Sequence, residues 1–338
     1  MPSPLKYLVA LPLLSLLPFL HGCDTCGFNC SDDNDDNDPA SLTLSFSDAP
    51  LEDLKEVVIE VERIEFRRSE GEDLVVETFD LSTSAGAENF QVDLLVYSGR
   101  DRFEVLTGLT VEADFYNEIF IAINTDDDAN TSYVLDDEDL QRVINVNETT
   151  GGLTLPGRQI DADNENITVE FGLARALKFN ANDDSYTLDE EGIVLVDETL
   201  ASSLGGTVDE ELFDAVDECS VVDGDATVGN RVYLYEGTDL DPDALADVFT
   251  AGTDNSAGRI APFAASTLRD GSLGWQFTFG FIPSGNYTLA FSCDAEEDDA
   301  RTIEDITVPL PEDQIFEVSV DTQQNIICRF NFEGEPSC

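Results

Sequence analysis

The chain is poor in the side chains that most catalytic and metal centres use. It holds one histidine, His21, one tryptophan and one methionine. Basic residues are scarce as well: 16 Lys plus Arg face 72 Asp plus Glu, for a formal net charge of -56. A field of that sign repels nucleic acid and anionic lipid headgroups, so neither is expected as a partner. The apolar run from Tyr7 to Leu20 is shorter than the about 20 residues a membrane-spanning helix needs, and it contains Pro12 and Pro18. It reads as the apolar core of a secretory signal rather than an anchor. Cleavage before Cys23 would discard His21, and a mature chain without imidazole has no Ser-His-Asp or Cys-His catalysis and no histidine metal site. Carboxylate-pair chemistry survives that exclusion, because it needs only Asp or Glu. No glycine-rich phosphate loop opens a helix.

What is present begins with LHGC, residues 20–23, directly followed by DTCGFNCSDDNDDND. Leucine three places before the cut, glycine one before it and cysteine at it resemble the lipobox of bacterial lipoproteins. That resemblance implies a Cys23 carrying acyl chains, each buried CH2 adding about 0.8 kcal/mol of membrane affinity. The membrane, through that anchor, is then the first expected partner. Asp24 resembles an inner-membrane retention signal of some gram-negative bacteria. The expected location is a gram-negative cell envelope, periplasmic or surface-exposed. Residues 1–22 are read as signal peptide and 23–40 as a solvated acidic tether with no apolar periodicity.

Six cysteines remain beyond Cys23: Cys26, Cys30, Cys219, Cys293, Cys328 and Cys338. An even number in an exported chain suggests disulfides, although six cysteines allow fifteen connectivities. Cys219 lies before, and Cys293 at the end of, a strand-rich stretch, and their bond would fasten that stretch to its core. Cys328 and Cys338 then close the carboxyl end, and Cys26 and Cys30 the tether.

From Leu42 onward the apolar residues alternate as in strands. LTLSF puts Leu42, Leu44 and Phe46 on one face. EVVIEVERIEF puts Val57, Ile59 and Val61 there and then switches parity to Ile64 and Phe66, which predicts a bulge near Glu62 and Arg63. FQVDLLVY, NEIFIAI, ITVEFGL and GIVLVD are further strands, while DDEDLQRVI, with acids leading, predicts a short helix from Asp136. The small polar stretch DETLASSLGG marks a domain boundary. Beyond it come RVYLYEG, a short helix PDALADVF opened by Pro242, and WQFTFGFIPSGNYTLAFSC. The last is expected to form a hairpin, with Trp275, Phe277, Phe279, Phe281, Tyr287, Leu289 and Phe291 on its buried face. ITVPL, IFEVSV and IICRFNF supply the later strands. The expected fold is all-β: two consecutive β-sandwiches, Ig-like or transthyretin-like, over residues 41–198 and 199–338.

LTLSFSDAPLEDLKEVVIEVERIEF, FQVDLL, VEFGLARAL and YTLDEEGIVLVD together resemble the bacterial domain of unknown function 4382, common in exported lipoproteins. Ser47, Asp48, Ala49 and Pro50 are the most specific match, and the resemblance spans roughly Ser41 to Asp197. FIPSGNYTLAF resembles transthyretin-like or carboxypeptidase-regulatory-like modules, which have no catalytic residues of their own. Neither resemblance implies functional residues.

Other chemical signals are loops. TDDDANTSYVLDD places Asp126, Asp128, Asn130 and Asp137 at positions 1, 3, 5 and 12 of a calcium loop, with Thr131 where the turn glycine belongs; the alternative is a solvated acidic loop. The general acid excess fits salty surroundings, with calcium as a local addition and the only cofactor in view. The leading expectation is a non-enzymatic envelope lipoprotein presenting a binding or structural surface to a protein or glycan. A calcium-dependent adhesion or carbohydrate-binding protein is the alternative, and a carboxylate-pair hydrolase a more distant one.

Overall fold

Alternation becomes strand almost throughout the computed structural model, which describes residues 39–48, 54–82, 84–125, 131–147, 149–161, 164–214, 219, 226–247, 258–295 and 306–338. The fold is an all-β sandwich assembly. Leu42, Leu44 and Phe46 of the strand Pro39–Asp48 are fully buried, and Phe46 meets Phe171 edge-on at 5.3 Å. Each such side chain contributes about 1.5–3 kcal/mol by leaving water. The strand Leu54–Arg67 buries Val57, Ile59 and Val61, then Ile64 and Phe66. Its register against Asp114–Ile123 shifts between Val61 and Arg63, so the bulge keeps both apolar sets on the core side.

Two sheets enclose this core. In the four-stranded sheet the order is Ile193–Asp197, Asn164–Phe171, Pro39–Asp48 and Phe103–Glu112, with the middle two parallel. The larger sheet has nine strands and is built on Leu54–Arg67. Downstream, a second pair of four-stranded sheets encloses an aromatic core. One runs Arg269–Gly271, Gly274–Ile282, Ser202–Val208, Asn325–Phe330; the other runs Ala264–Thr267, Gly229–Glu236, Gly285–Ala295, Ile315–Val320. Phe277, Phe291 and Phe316 all touch Phe330, at 5.8, 5.9 and 5.3 Å between rings.

Several sequence expectations change here. No helix starts at Asp136. Its carboxylate accepts from the backbone N–H of Glu138 and Leu140, Asp139 takes a left-handed φ of 63°, and Gln141–Asn145 returns antiparallel to Tyr133–Asp136. An Asp cap serves a tight turn as well as a helix start. The described part of PDALADVF, residues 242–247, makes a 3-10 turn at Pro242–Ala244, capped by Asp241, and no longer helix. FQVDLLVY is a strand only over Phe90–Asp93, because Asp93 caps a 3-10 turn at Leu94–Val96. ITVPL makes only an isolated bridge, Ser292 to Leu310. Pro309 and Pro311 have no N–H to give a ladder. The stretch read as a polar boundary contains the strand Ser202–Val208, hydrogen-bonded on both sides. Finally, Gly274–Ile282 and Gly285–Ala295 do not pair with one another but lie in the two different sheets. Their connection is an arch over the aromatic core, not a hairpin.

Candidate functional site

The strand Pro39–Asp48 has a second face that is polar yet equally shut off from water. Ser45, Ser47 and Thr168 are 0% exposed and Glu170 is 3% exposed. The parallel register places Ser45 beside Thr168 and Ser47 beside Glu170. Burial pushes the Glu170 carboxyl up to about 8, against a hydrogen bond with Ser47 that pulls the other way. The Ser47 hydroxyl donates to the carbonyl of Asp101 at 3.0 Å. Glu170 Oε2 and Ser45 Oγ are buried without a hydrogen-bond partner. Thr168 donates to Glu198 at 2.8 Å, and Glu198 pairs with Arg102 at 3.1 Å.

The loop at residues 98–102 bounds this face and reaches the downstream sheets. Arg100 donates to Ser203 and, at 3.4 Å, to Asn325. Ser202 pairs with Ile282 and Leu204 with Phe279, so Gly280 and Phe281 oppose Ser203 alone in a bulge. Gly99 presses there: a Cβ on Gly280 would lie 1.5 Å from the Gly99 carbonyl oxygen, so only glycine fits. Phe281 takes a φ of 45°, a strained position for a bulky residue. Arg175 pairs with Glu236 at 3.0 Å, and Val194 packs against the downstream core. We term this contact the seam. An isolated glycine inside the aromatic alternation, FGF, is the sequence signal for such a close approach; the sequence reading missed it.

Three of the buried acids among the described residues, Asp48, Asp136 and Glu170, do not come together as a carboxylate pair. Asp48 and Glu170, both buried, lie one register position apart, and strand alternation sends them to opposite faces of the sheet. Asp136, also buried, is held by two backbone N–H groups and an ion pair with Arg142. Asp126, Asp128 and Asn130 of the calcium reading lie outside the described residues. Asp137 is exposed, and its carbonyl accepts from the Lys55 ammonium at 2.8 Å, while Lys55 pairs with Asp139 at 2.7 Å. Among the described residues no three His, Cys, Asp or Glu groups converge as a metal site. The structure joins Cys219 to Cys293, with Cα atoms 5.3 Å apart, and Cys328 to Cys338, 3.8 Å apart. Cys23, Cys26 and Cys30 lie outside the described residues. Trp275 is half-buried, edge-on to Phe213 at 6.1 Å.

Residues 39–189 match the family described as "Domain of unknown function (DUF4382)". The match stops short of the strand Ile193–Asp197, which is nonetheless hydrogen-bonded into the sheet of Asn164–Phe171. No curated protein matches the chain. Among solved structures, the Bacillus anthracis TIE protein is similar at 10% identity and a TM-score of 0.18, over 88% of this chain and 34% of that one. A leucine-rich repeat protein from Bacteroides thetaiotaomicron is similar at 8% identity and a TM-score of 0.21, over 88% and 27%. BcpA, the major pilin subunit of Bacillus cereus, is similar at 9% identity and a TM-score of 0.18, over 89% and 70%. The chain thus spans about a third or less of the first two proteins, and likeness at these scores carries no functional argument. No helix among the described residues is long and apolar enough to cross a membrane.

Proposed function

We propose that this protein is a non-enzymatic lipoprotein of the bacterial cell envelope, held through acylated Cys23 on the acidic tether at residues 23–40. It carries two β-sandwich modules, residues 41–198 and 199–338, the second of transthyretin-like or carboxypeptidase-regulatory-like build, and offers a binding or structural surface outside the membrane. The observation that carries the anchor is LHGC at the end of an apolar run, directly before an acidic stretch. The non-enzymatic part is supported by the employment of three acids in and beside the core, of which Glu198 is half-buried. Asp136 caps a turn, Glu198 joins Thr168 to Arg102, and Glu170 faces packed interior rather than a cleft. Expression in a gram-negative host with labelled palmitate, followed by fractionation, tests the reading. The wild type should carry label and sediment with membranes, while Cys23→Ser should lose the label and become soluble or accumulate as precursor. A Cys23→Ser variant that stays membrane-bound and is cut normally would overturn it.

A further inference from the structure

The seam holds two arginines whose surroundings differ from those of the arginines elsewhere. Arg68, Arg142, Arg158 and Arg329 all sit in carboxylate pairs, as expected where 72 acids face 16 bases. Arg100 donates instead to neutral oxygens of Ser203 and Asn325, and Arg269 to the hydroxyl of Ser98 at 3.5 Å. Among the described residues neither has a carboxylate ion-pair partner. Both line one cavity of about 230 Å³, together with Ser98, Gln276, Thr278 and a single acid, Asp101. Two guanidiniums against one carboxylate make this lining net positive inside a protein of charge -56.

We propose that this cavity binds a small oxyanion group: one carboxylate, sulfate or phosphate held between Arg100 and Arg269. A guanidinium presents donors in a planar fork matched to two oxygens of such a group, and the hydroxyl and amide groups alongside can complete the shell. Size sets the ligand class. Pockets for drug-sized molecules run from about 300 to 1,000 Å³, so this one takes a single group, borne by a small ion or by an acidic sugar. The overall negative field repels long polyanions and disfavours nucleic acid as the source. Arg100 precedes and Arg269 follows the stretch at residues 197–206, so a bound anion would bridge the two sides of the seam and stabilise the folded chain.

This inference rests on the binding-surface reading above, yet palmitate labelling and anion binding fail independently of each other. The test titrates inorganic sulfate and glucuronate into the full mature chain by calorimetry, with sodium chloride at matched ionic strength as reference. At least one probe should bind and raise the melting temperature beyond the chloride effect. Arg269→Gln and Arg100→Gln should each weaken that binding by at least about tenfold, as expected when charge-assisted hydrogen bonds are lost. Arg329→Gln, outside the cavity lining and paired with Asp209, should leave it unchanged. Should Arg100→Gln fail to fold, the exposed Arg269 decides alone. Sulfate binding without glucuronate binding assigns a free ion, and preference for glucuronate an acidic sugar. If neither probe exceeds chloride, or Arg269→Gln binds as the wild type does, the site is refuted.

Discussion

The two halves of the molecule reach the same architecture by different means. Between Pro39 and Asp197 the sandwich contains no cysteine and is built on a large, mostly aliphatic interior around Leu42, Ile59 and Val169, which Tyr233, Tyr235, Ala265 and Ala290 join from downstream. Beyond Ser202 the interior is smaller and richer in rings, Phe277, Phe279, Phe291 and Phe330 among them, and two disulfides tie its ends. A small core leaves less apolar area to offset chain entropy, and covalent closure makes up the difference by restricting the unfolded chain.

The largest expected effect falls on that closure. Replacing Cys219 and Cys293 by serine and alanine opens a loop with a sequence separation of 74, worth about 4 kcal/mol in the chain-entropy model. Thermal unfolding should show the loss in the downstream half. Equal destabilisation of both halves would break the contrast. Next in size, Leu44→Ala removes a fully buried side chain from the upstream core and should cost about 3 kcal/mol in denaturant unfolding.

Glu170 gives a smaller effect with a pH signature. Its carboxyl titrates near 8 in the folded chain, against 4.5 for the ordinary group. Below about pH 4.5 both states are protonated and nothing is lost. Between 4.5 and 8 the unfolded chain gives up the proton while the folded chain keeps it, so stability falls as pH rises, by up to about 1.4 kcal/mol per pH unit. Glu170→Gln keeps the neutral shape and removes the titration. At pH 6 it should be more stable than the wild type by about 2 kcal/mol, and the difference should vanish near pH 4. A difference that is flat with pH would mean that Glu170 is ionised in the folded chain. Smallest of all, Lys55→Met, which breaks an exposed pair with Asp139, should shift stability by no more than about 0.5 kcal/mol.

Much of the strand content was legible in the sequence, because period-two alternation is a local signal: Leu42, Leu44 and Phe46 announce a buried face, and the parity switch after Val61 announces the bulge. What was not legible depends on partners far along the chain. Phe277 and Phe291 alternate in the same way whether their strands pair as a hairpin or face each other across a core, so the arch was read as a hairpin. Asp136 presents the same capping chemistry to a turn as to a helix. Ser45, Ser47, Thr168 and Glu170 carried no signal of burial in the sequence, since only long-range packing buries them. The candidate anion site was hidden for the same reason. Arg100 and Arg269 are ordinary surface cations in the sequence, and the fold brings both to one cavity. The disulfide pairs were more accessible, because the position of Cys219 before a strand and of Cys293 at the end of one narrowed the choices.

Hydrogen exchange on the reduced protein, resolved by peptide, tests the contrast between the halves most directly. Amides of the strands Gly229–Glu236 and Gly285–Ala295 should lose protection on reduction, while those of Leu54–Arg67 and Asn164–Phe171 should keep it. Equal loss of protection in the two halves, or earlier loss in Leu54–Arg67, would contradict the account.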